Sequence, residues 1–333
     1  MCTRRAILHI GSHKTGTSAI QFSLSKNRRS LGRQGFFYPY ACKWIYDHSH
    51  NFLVFSMLKS KETGDKSIFE KQMSELEREI EHNQSANMIF SSEMLEKTVF
   101  FAPKLLNEFL SMLKKHFNDI DIVYCFRDEI SLCDSAFKQQ VQSNKFDGEP
   151  KSFVAESKHE YDFLNIAKRW RDTGFVRNID CYWYSNDFNE NFILFSKIIG
   201  LNPEITNPGI RNESLNGKLL AIKHALNKKS MDQSQHSFVI DEFRGLLGKL
   251  DNDWVGPTTI FDDDSRSEFD RYYSNIDYNN QRILNLRNKK SVPEKRPPLF
   301  RPISTETAIS YAKELKTLGY KRLAKFILSV LQA

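Results

Sequence analysis

The chain of 333 residues predicts an α/β fold: a three-layer α/β/α domain around a central parallel sheet, continued by a mainly helical C-terminal region. Three observations predict it. From the N-terminus to Gly200, short apolar runs of strand character alternate with stretches of helical periodicity. The first run breaks into a glycine-bracketed turn that leads straight into a helix. Hydrophobic residues make up 40% of the chain, enough to bury a large core.

The first strand is expected over 5–10 and the first helix from Thr17 to about Asn27, with Ala19, Ile20, Phe22 and Leu24 inward. Residues 35–39 read as a short extended piece and turn, and His50 to Ser60 as a packed helix. The charged stretch 61–87 reads as a solvent-facing helix carrying Ile68, Met73, Leu76 and Ile80. A second core strand, 87–92, delivers Glu93 to the edge of the sheet where ligands bind in such folds. Pro103 opens another helix, and the strand 120–126 ends in Arg127. Helical pattern resumes at Ser135–Val141 and 160–173, then comes a strand at 179–184 and a helix at 187–199 closed by Gly200. Beyond it lie a turn-rich 207–216, a helix from Leu215 to Leu226, a long irregular connection over 262–300 and a final amphipathic helix over 304–331. The expected division is a nucleotide-binding core, 1–230, and a helical region, 231–333. The last helix could dock onto the core or onto another subunit of a homo-oligomer.

The turn after the first strand, Gly11-Ser12-His13-Lys14-Thr15-Gly16-Thr17-Ser18, reads as a phosphate cradle. Gly11 and Gly16 let the backbone bend around an anion, and the amides of the turn and helix N-terminus point inward. Lys14 adds a full charge, while Thr15, Thr17 and Ser18 add hydroxyls. Loops of the form G-x-x-x-x-G-K-[ST], which hold nucleoside triphosphates, place lysine after the second glycine. Here Thr17 occupies that position and the lysine stands upstream at 14. A lysine inside the loop suits a reactive bond close to a 5′-phosphate. No obvious acidic magnesium ligand of the kind triphosphate chemistry would need is found at a strand end, and the strand 120–126 ends in Arg127, which would bind an anion.

At these residues the chain resembles the sulfotransferases that use 3′-phosphoadenosine 5′-phosphosulfate (PAPS), whose fold is P-loop-like. His13-Lys14-Thr15-Gly16-Thr17-Ser18 is similar to their P-K-[ST]-G-[ST]-[ST] segment, with His in place of Pro. Arg127 and Ser135 match their arginine-terminated strand and the serine two helical turns later. The likeness covers about 4–30 and 88–142, and more loosely 160–230. It implies that Gly11, His13, Lys14, Thr15, Gly16, Thr17 and Ser18 hold the 5′-phosphosulfate end and that Arg127 and Ser135 hold the 3′-phosphate. In bacterial members a similar R-x-N-x-S-L segment follows the core, which makes Arg211 and Ser214 secondary donors. It also implies a carbohydrate acceptor: a polysaccharide, lipopolysaccharide or oligosaccharide, sulfated on a hydroxyl or, less readily, an amine.

Sulfuryl transfer needs a cation for the departing phosphate and a base for the acceptor proton. Lys14 fits the first task. For the second, Glu93 and His50 both remain, with His48 a further rival, because carboxylate and imidazole can each be tuned to work near neutrality. His13 could reach the sulfuryl oxygens. Phe36, Phe37, Tyr38, Tyr40, Trp44 and Tyr46 offer rings for stacking on sugars, or for ordinary packing. Two other classes share the loop, a nucleotide-dependent kinase and a noncatalytic nucleotide- or glycan-binding protein.

Composition bears on partners. The 48 basic and 41 acidic residues give a net charge of +7, which favours anionic ligands, yet no basic run interleaved with aromatics points to nucleic acid. Five cysteines, an odd number with no C-x-x-C pair, predict reduced thiols and no metal. With a strand beginning within about five residues of Met1 and no run near ~18 apolar residues, a cytoplasmic protein without a membrane span is expected, and beside the membrane-anchored Golgi-type sulfotransferases the resemblance then implies a bacterial one.

Overall fold

The computed structural model describes residues 4–12, 14–45, 47–157, 160–185, 187–202, 215–274, 285–286 and 297–332. In chain order the elements are β1 (Arg5–His9), α1 (Thr17–Lys26), α2 (Arg28–Arg33), β2 (Phe36–Phe37), α3 (Asn51–Thr63), α4 (Ser67–His82) and β3 (Asn87–Ser91). A 3₁₀ turn (Glu93–Lys97) leads to α5 (Thr98–Phe101), α6 (Pro103–His116), β4 (Asp119–Phe126), α7 (Glu129–Gln142), α8 (Pro150–Ser157), α9 (Phe163–Asp172), β5 (Val176–Trp183) and α10 (Phe188–Ile199). Then follow α11 (Gly217–Asn227), α12 (Gln233–Leu246), α13 (Asn252–Val255), α14 (Asp263–Ser274), β6 (Asn285–Leu286), α15 (Thr305–Thr317) and α16 (Lys321–Gln332).

The six strands form one sheet in the order β2-β3-β1-β4-β5-β6, every pair parallel. The connection leaving β1 runs one way across the sheet, to β2, and the connection leaving its neighbour β3 runs the other way, to β4, the arrangement at which open α/β sheets leave a crevice beyond the strand ends. Helices cover both faces. On one, Ile20, Leu24, Leu31, Phe195 and Ile199 of α1, α2 and α10 pack on Ile7, Ile89, Val123, Cys125 and Tyr182. On the other, Phe90 meets Phe109 of α6, and Phe126 stacks on Phe163 of α9 at 5.0 Å. The expected three-layer α/β/α class is therefore present, and strands buried on both faces explain why their sequences run apolar without alternation.

The chain divides into two compact units. The first, holding the sheet, comprises Met1–Asp128, Asp162–Arg211 and Ile276–Ser291; the second comprises Glu129–Tyr161, Asn212–Asn275 and Val292–Ala333. This differs from a boundary near residue 230. The reason is α7, whose side chains Cys133, Phe137 and Val141 are buried and which packs on α11, so the middle of the chain joins the helical unit. In that unit Phe137 contacts Phe146, Phe153 and Phe300.

Three local expectations change. The charged stretch after residue 60 is not one helix, because α3 stops at Gly64 in a left-handed conformation and α4 restarts at Ser67. α4 buries Phe69, Leu76 and Ile80 and leaves Ile68 40% exposed. The region expected to be irregular contains α14 and β6, and the final helix breaks into α15 and α16 around Gly319 (φ 97°).

Candidate functional site

The cradle grows out of β1. Past the strand's last residue, the amides of Ile10 and Ser12 still donate to the carbonyls of Val123 and Cys125 on β4 (3.0 and 3.3 Å). The chain then turns through Lys14 (φ 66°) and Gly16 (φ 73°), both left-handed. Such a conformation costs a non-glycine residue about 1 kcal/mol or more, and strain of this kind gathers at functional sites. Gly11 is required by space: a Cβ there would lie 3.1 Å from both Thr15 Oγ1 and Thr17 Cγ2. Gly16 precedes α1, whose first turn has no side-chain cap, so its amides face the turn.

Buried side chains hold the cradle's shape. Thr15 is fully buried, and its hydroxyl donates to the Ser12 carbonyl at 2.5 Å, so this side chain braces the loop where a ligand donor was expected. The Ser12 hydroxyl and the Tyr124 hydroxyl both donate to Oε1 of Glu96, a carboxylate 4% exposed, whose main-chain carbonyl accepts from Trp170 Nε1. Burial and the neighbouring Glu96 charge push the Tyr124 phenol up. Thr17 is 5% exposed, whereas Ser18 is open to solvent.

Arg127, at the end of β4, donates from Nη1 to the Lys14 carbonyl at 2.6 Å. Its guanidinium lies 5.0 Å from the centre of the Tyr184 ring. The Tyr184 amide donates to Phe126 O at 2.6 Å, and its ring edge would meet a Cβ on Gly16 at 3.2 Å. The half-buried Lys14 and Arg127 thus meet beyond the adjoining ends of β1 and β4, with Tyr184 against Arg127 and Gly16. Asn191 fixes the chain after Tyr184, accepting from the Ser185 amide and donating to the Ser185 carbonyl. Tyr184 and Glu96 were missed in the sequence; the aromatic ending of β5 was the available signal for the first, and nothing local marked the second.

The neighbouring strand β3 ends in a different construction. Ser92 N donates to His9 O, and Glu93 opens the 3₁₀ turn. Gln21 Nε2 donates to Glu93 Oε2 at 2.8 Å and Asn51 Nδ2 to Oε1 at 2.9 Å; Asn51 is itself oriented by the Ser92 hydroxyl at 2.6 Å. Gln21 lies one turn beyond Thr17 on the same face of α1. The carboxylate is therefore fixed close to the helix start that closes the cradle, on the same sheet edge.

His50 does not fit the role of base. It is fully buried, stacked on Phe90 at 4.2 Å and edge-on to Tyr38 at 4.6 Å. Its Nδ1 lies 3.0 Å from the Ser91 amide and 3.2 Å from the Ser91 carbonyl, and its Nε2 faces Pro39 O at 3.2 Å. Both nitrogens are spent on the main chain, and desolvation holds the imidazole well below its usual range. His48 lies 3.1 Å from Ser25 Oγ, also lowered by burial and by Lys43. Phe36, Phe37 and Tyr38 are core residues, while Tyr40 and Trp44 are exposed. Ser135 is a buried residue of α7 in the second unit. His13, Tyr46, Arg211 and Ser214 lie outside the described residues.

Among the described residues no group of three or more His, Cys, Asp or Glu side chains forms a metal site, and no helix is long and apolar enough to cross a membrane.

No family model matches the chain, and no curated protein matches it. A solved structure of the PezAT chromosomal toxin–antitoxin system of Streptococcus pneumoniae aligns with 55% of this chain and 70% of its own, at 13% identity and a TM-score of 0.30. A likeness of that size carries no argument about activity.

Proposed function

We propose that the protein is a PAPS-dependent sulfotransferase acting on a hydroxyl of a carbohydrate, in the cytoplasm of a bacterium. The observation that carries this reading is the pairing, on one sheet edge, of a cation-bearing anion cradle with a fixed carboxylate. Lys14 sits in a left-handed turn tied to Arg127, and Glu93 is fastened to α1 one turn from the cradle. At Gly11 the buried side chains of Thr15, Thr17 and Cys125 close directly against the main chain, which supports the tight curl of the cradle.

The donor supplies an activated sulfuryl group. Glu93 takes the acceptor's proton as the new oxygen–sulfur bond forms, its orientation set by Gln21 and Asn51. The cradle amides hold the 5′-phosphate, and the Lys14 ammonium faces the negative charge that builds on the bridging oxygen as its bond to sulfur breaks. Arg127, joined by Ser135 in the family resemblance, is assigned the 3′-phosphate.

Thermal-shift titration tests the reading. We expect 3′-phosphoadenosine 5′-phosphate to stabilise the protein without metal and adenosine 5′-phosphate to do so much less. Equal binding of the two nucleotides would remove the assignment of Arg127 and Ser135. Turnover of ATP with magnesium, and none with PAPS, would replace this reading with a kinase.

A further inference from the structure

The turn before α3 exposes an aromatic surface that the catalytic reading does not use. Trp44 is 42% exposed, Phe55 41% and Ile45 91%. The Trp44 ring packs on Phe52 and Phe55 with centroids 5.5 and 5.7 Å apart, and these two stack on each other at 6.2 Å. The patch is adjacent to the acidic turn through one helix. Asn51, which donates to Glu93, and Phe55 are four residues apart and so share a face of α3, about 6 Å apart along its axis.

We infer that Trp44, with Phe52 and Phe55, is the acceptor platform: a surface on which one or two pyranose rings stack while a sugar hydroxyl reaches Glu93. This rests on the sulfotransferase reading for its geometry and narrows it to one surface. Two observations favour a sugar. The exposed apolar area of Trp44, Ile45 and Phe55 is on the order of 300 Å², far below the roughly 800 Å² per partner of a stable protein interface, but ample for a sugar ring. Polar groups also adjoin the patch in the chain. The Asp47 amide donates to the Trp44 carbonyl at 3.0 Å, and the Asp47 carboxylate accepts from the Ser49 amide and hydroxyl (3.0 and 2.5 Å), so a fixed acid lies beside the turn that bears the indole. A stacked ring offers its C–H face to the indole and leaves its hydroxyls to polar neighbours of that turn.

The chain provides its own reporter. Of its four tryptophans, Trp170, Trp183 and Trp254 are 0%, 3% and 2% exposed, so iodide quenching of fluorescence reads Trp44. The experiment titrates the full chain with a neutral probe, chitotetraose, and an acidic one, heparosan hexasaccharide, with dodecylmaltoside micelles as the lipid-like control. We expect one quenchable component, absent in Trp44→Phe, that at least one oligosaccharide protects. Binding of that oligosaccharide by calorimetry should fall at least tenfold in Trp44→Ala and in Phe55→Ala, and by less than threefold in Trp44→Phe. The shift produced by 3′-phosphoadenosine 5′-phosphate should be unchanged in all three. Protection by micelles alone, protection that grows only with protein concentration, or no protection by either sugar overturns the platform. If the nucleotide binds and no sugar protects, only the platform fails. If a sugar protects and the nucleotide does not bind, the donor reading fails and the glycan surface stands.

Discussion

β1 and β3 are hydrogen-bonded neighbours, with His9 opposite Ser91, yet their ends are built on opposite plans. After β1 the backbone itself forms the site: two left-handed residues and a crowded glycine curl the chain around Lys14. After β3 the backbone is unexceptional and the side chains form the site, with Glu93 gripped by amides from α1 and α3. One end is suited to holding an anion, the other to holding an acid in place. A cradle of main-chain donors takes its shape from its own backbone, braced from beneath through Ser12 and Glu96, whereas a carboxylate's orientation depends entirely on which side chains the fold brings to it.

The largest effects should separate the two ends. Lys14→Ala and Glu93→Gln are each expected to lower sulfuryl transfer by roughly 10²–10³-fold. They should differ in nucleotide binding: Lys14→Ala weakens the thermal shift by 3′-phosphoadenosine 5′-phosphate, while Glu93→Gln leaves it within twofold. If Glu93→Gln transfers sulfate at the wild-type rate, the β3 end has no catalytic role.

His50→Gln sharpens the comparison from the structural side. It removes a ring stacked between Phe90 and Tyr38 and breaks a main-chain bond at the strand end, so a loss of about 2–3 kcal/mol in urea unfolding is expected. Turnover per folded molecule should stay within threefold. A loss of turnover by a hundredfold with the fold intact would return His50 to the chemistry.

The difference between the two ends also decides how much was legible in the sequence. Gly11, Lys14 and Gly16 announced the cradle because backbone curvature needs glycine locally, and Arg127 announced itself by ending a strand. Glu93 was visible for the same positional reason. Its partners Gln21 and Asn51 were not, since they come from helices separated by some thirty residues, and neither type signals a carboxylate grip. Thr15 and His50 were misassigned because hydroxyl and imidazole look alike in sequence whether they face a ligand or a carbonyl. Burial decides that, and burial depends on the whole sheet. The same limit applies to the division into units, where α7 follows a core strand in sequence but packs on α11.

Below the cradle, Ser12→Ala tests whether the β1 end is truly self-supporting. The change removes one of two hydroxyls from the buried Glu96 carboxylate, leaving that oxygen to Tyr124. About 1–2 kcal/mol of stability should be lost, with nucleotide affinity falling roughly tenfold as the loop relaxes. Unchanged affinity with lowered stability would mean that Lys14, Gly16 and Arg127 fix the loop without help from beneath.

The smallest effect is a slope in pH, and it treats both ends together because a buried histidine sits at each. His9 places Nδ1 2.8 Å from Ser91 Oγ, and desolvation holds its pKa down to about 3; His50, bound to the Ser91 amide, is likewise held well below 6.5. In the unfolded chain both return to about 6.5. Between that value and the depressed ones the unfolded state binds protons that the native state does not, so unfolding free energy rises with pH and falls as acid is added. Each histidine contributes at most about 1.4 kcal/mol per pH unit, starting near 6.5 and, for His9, continuing to about 3. His48, His224 and His236 are lowered too, so the wild-type slope is a sum and the informative quantity is its difference from His50→Gln. Measured by urea unfolding from pH 7 to 5, above the range of most carboxylates, that variant should be less stable than wild type at pH 7 and lose less on acidification. Parallel curves would mean that His50 gains its proton as readily in the folded chain as in the unfolded one, against the desolvation that lowers it.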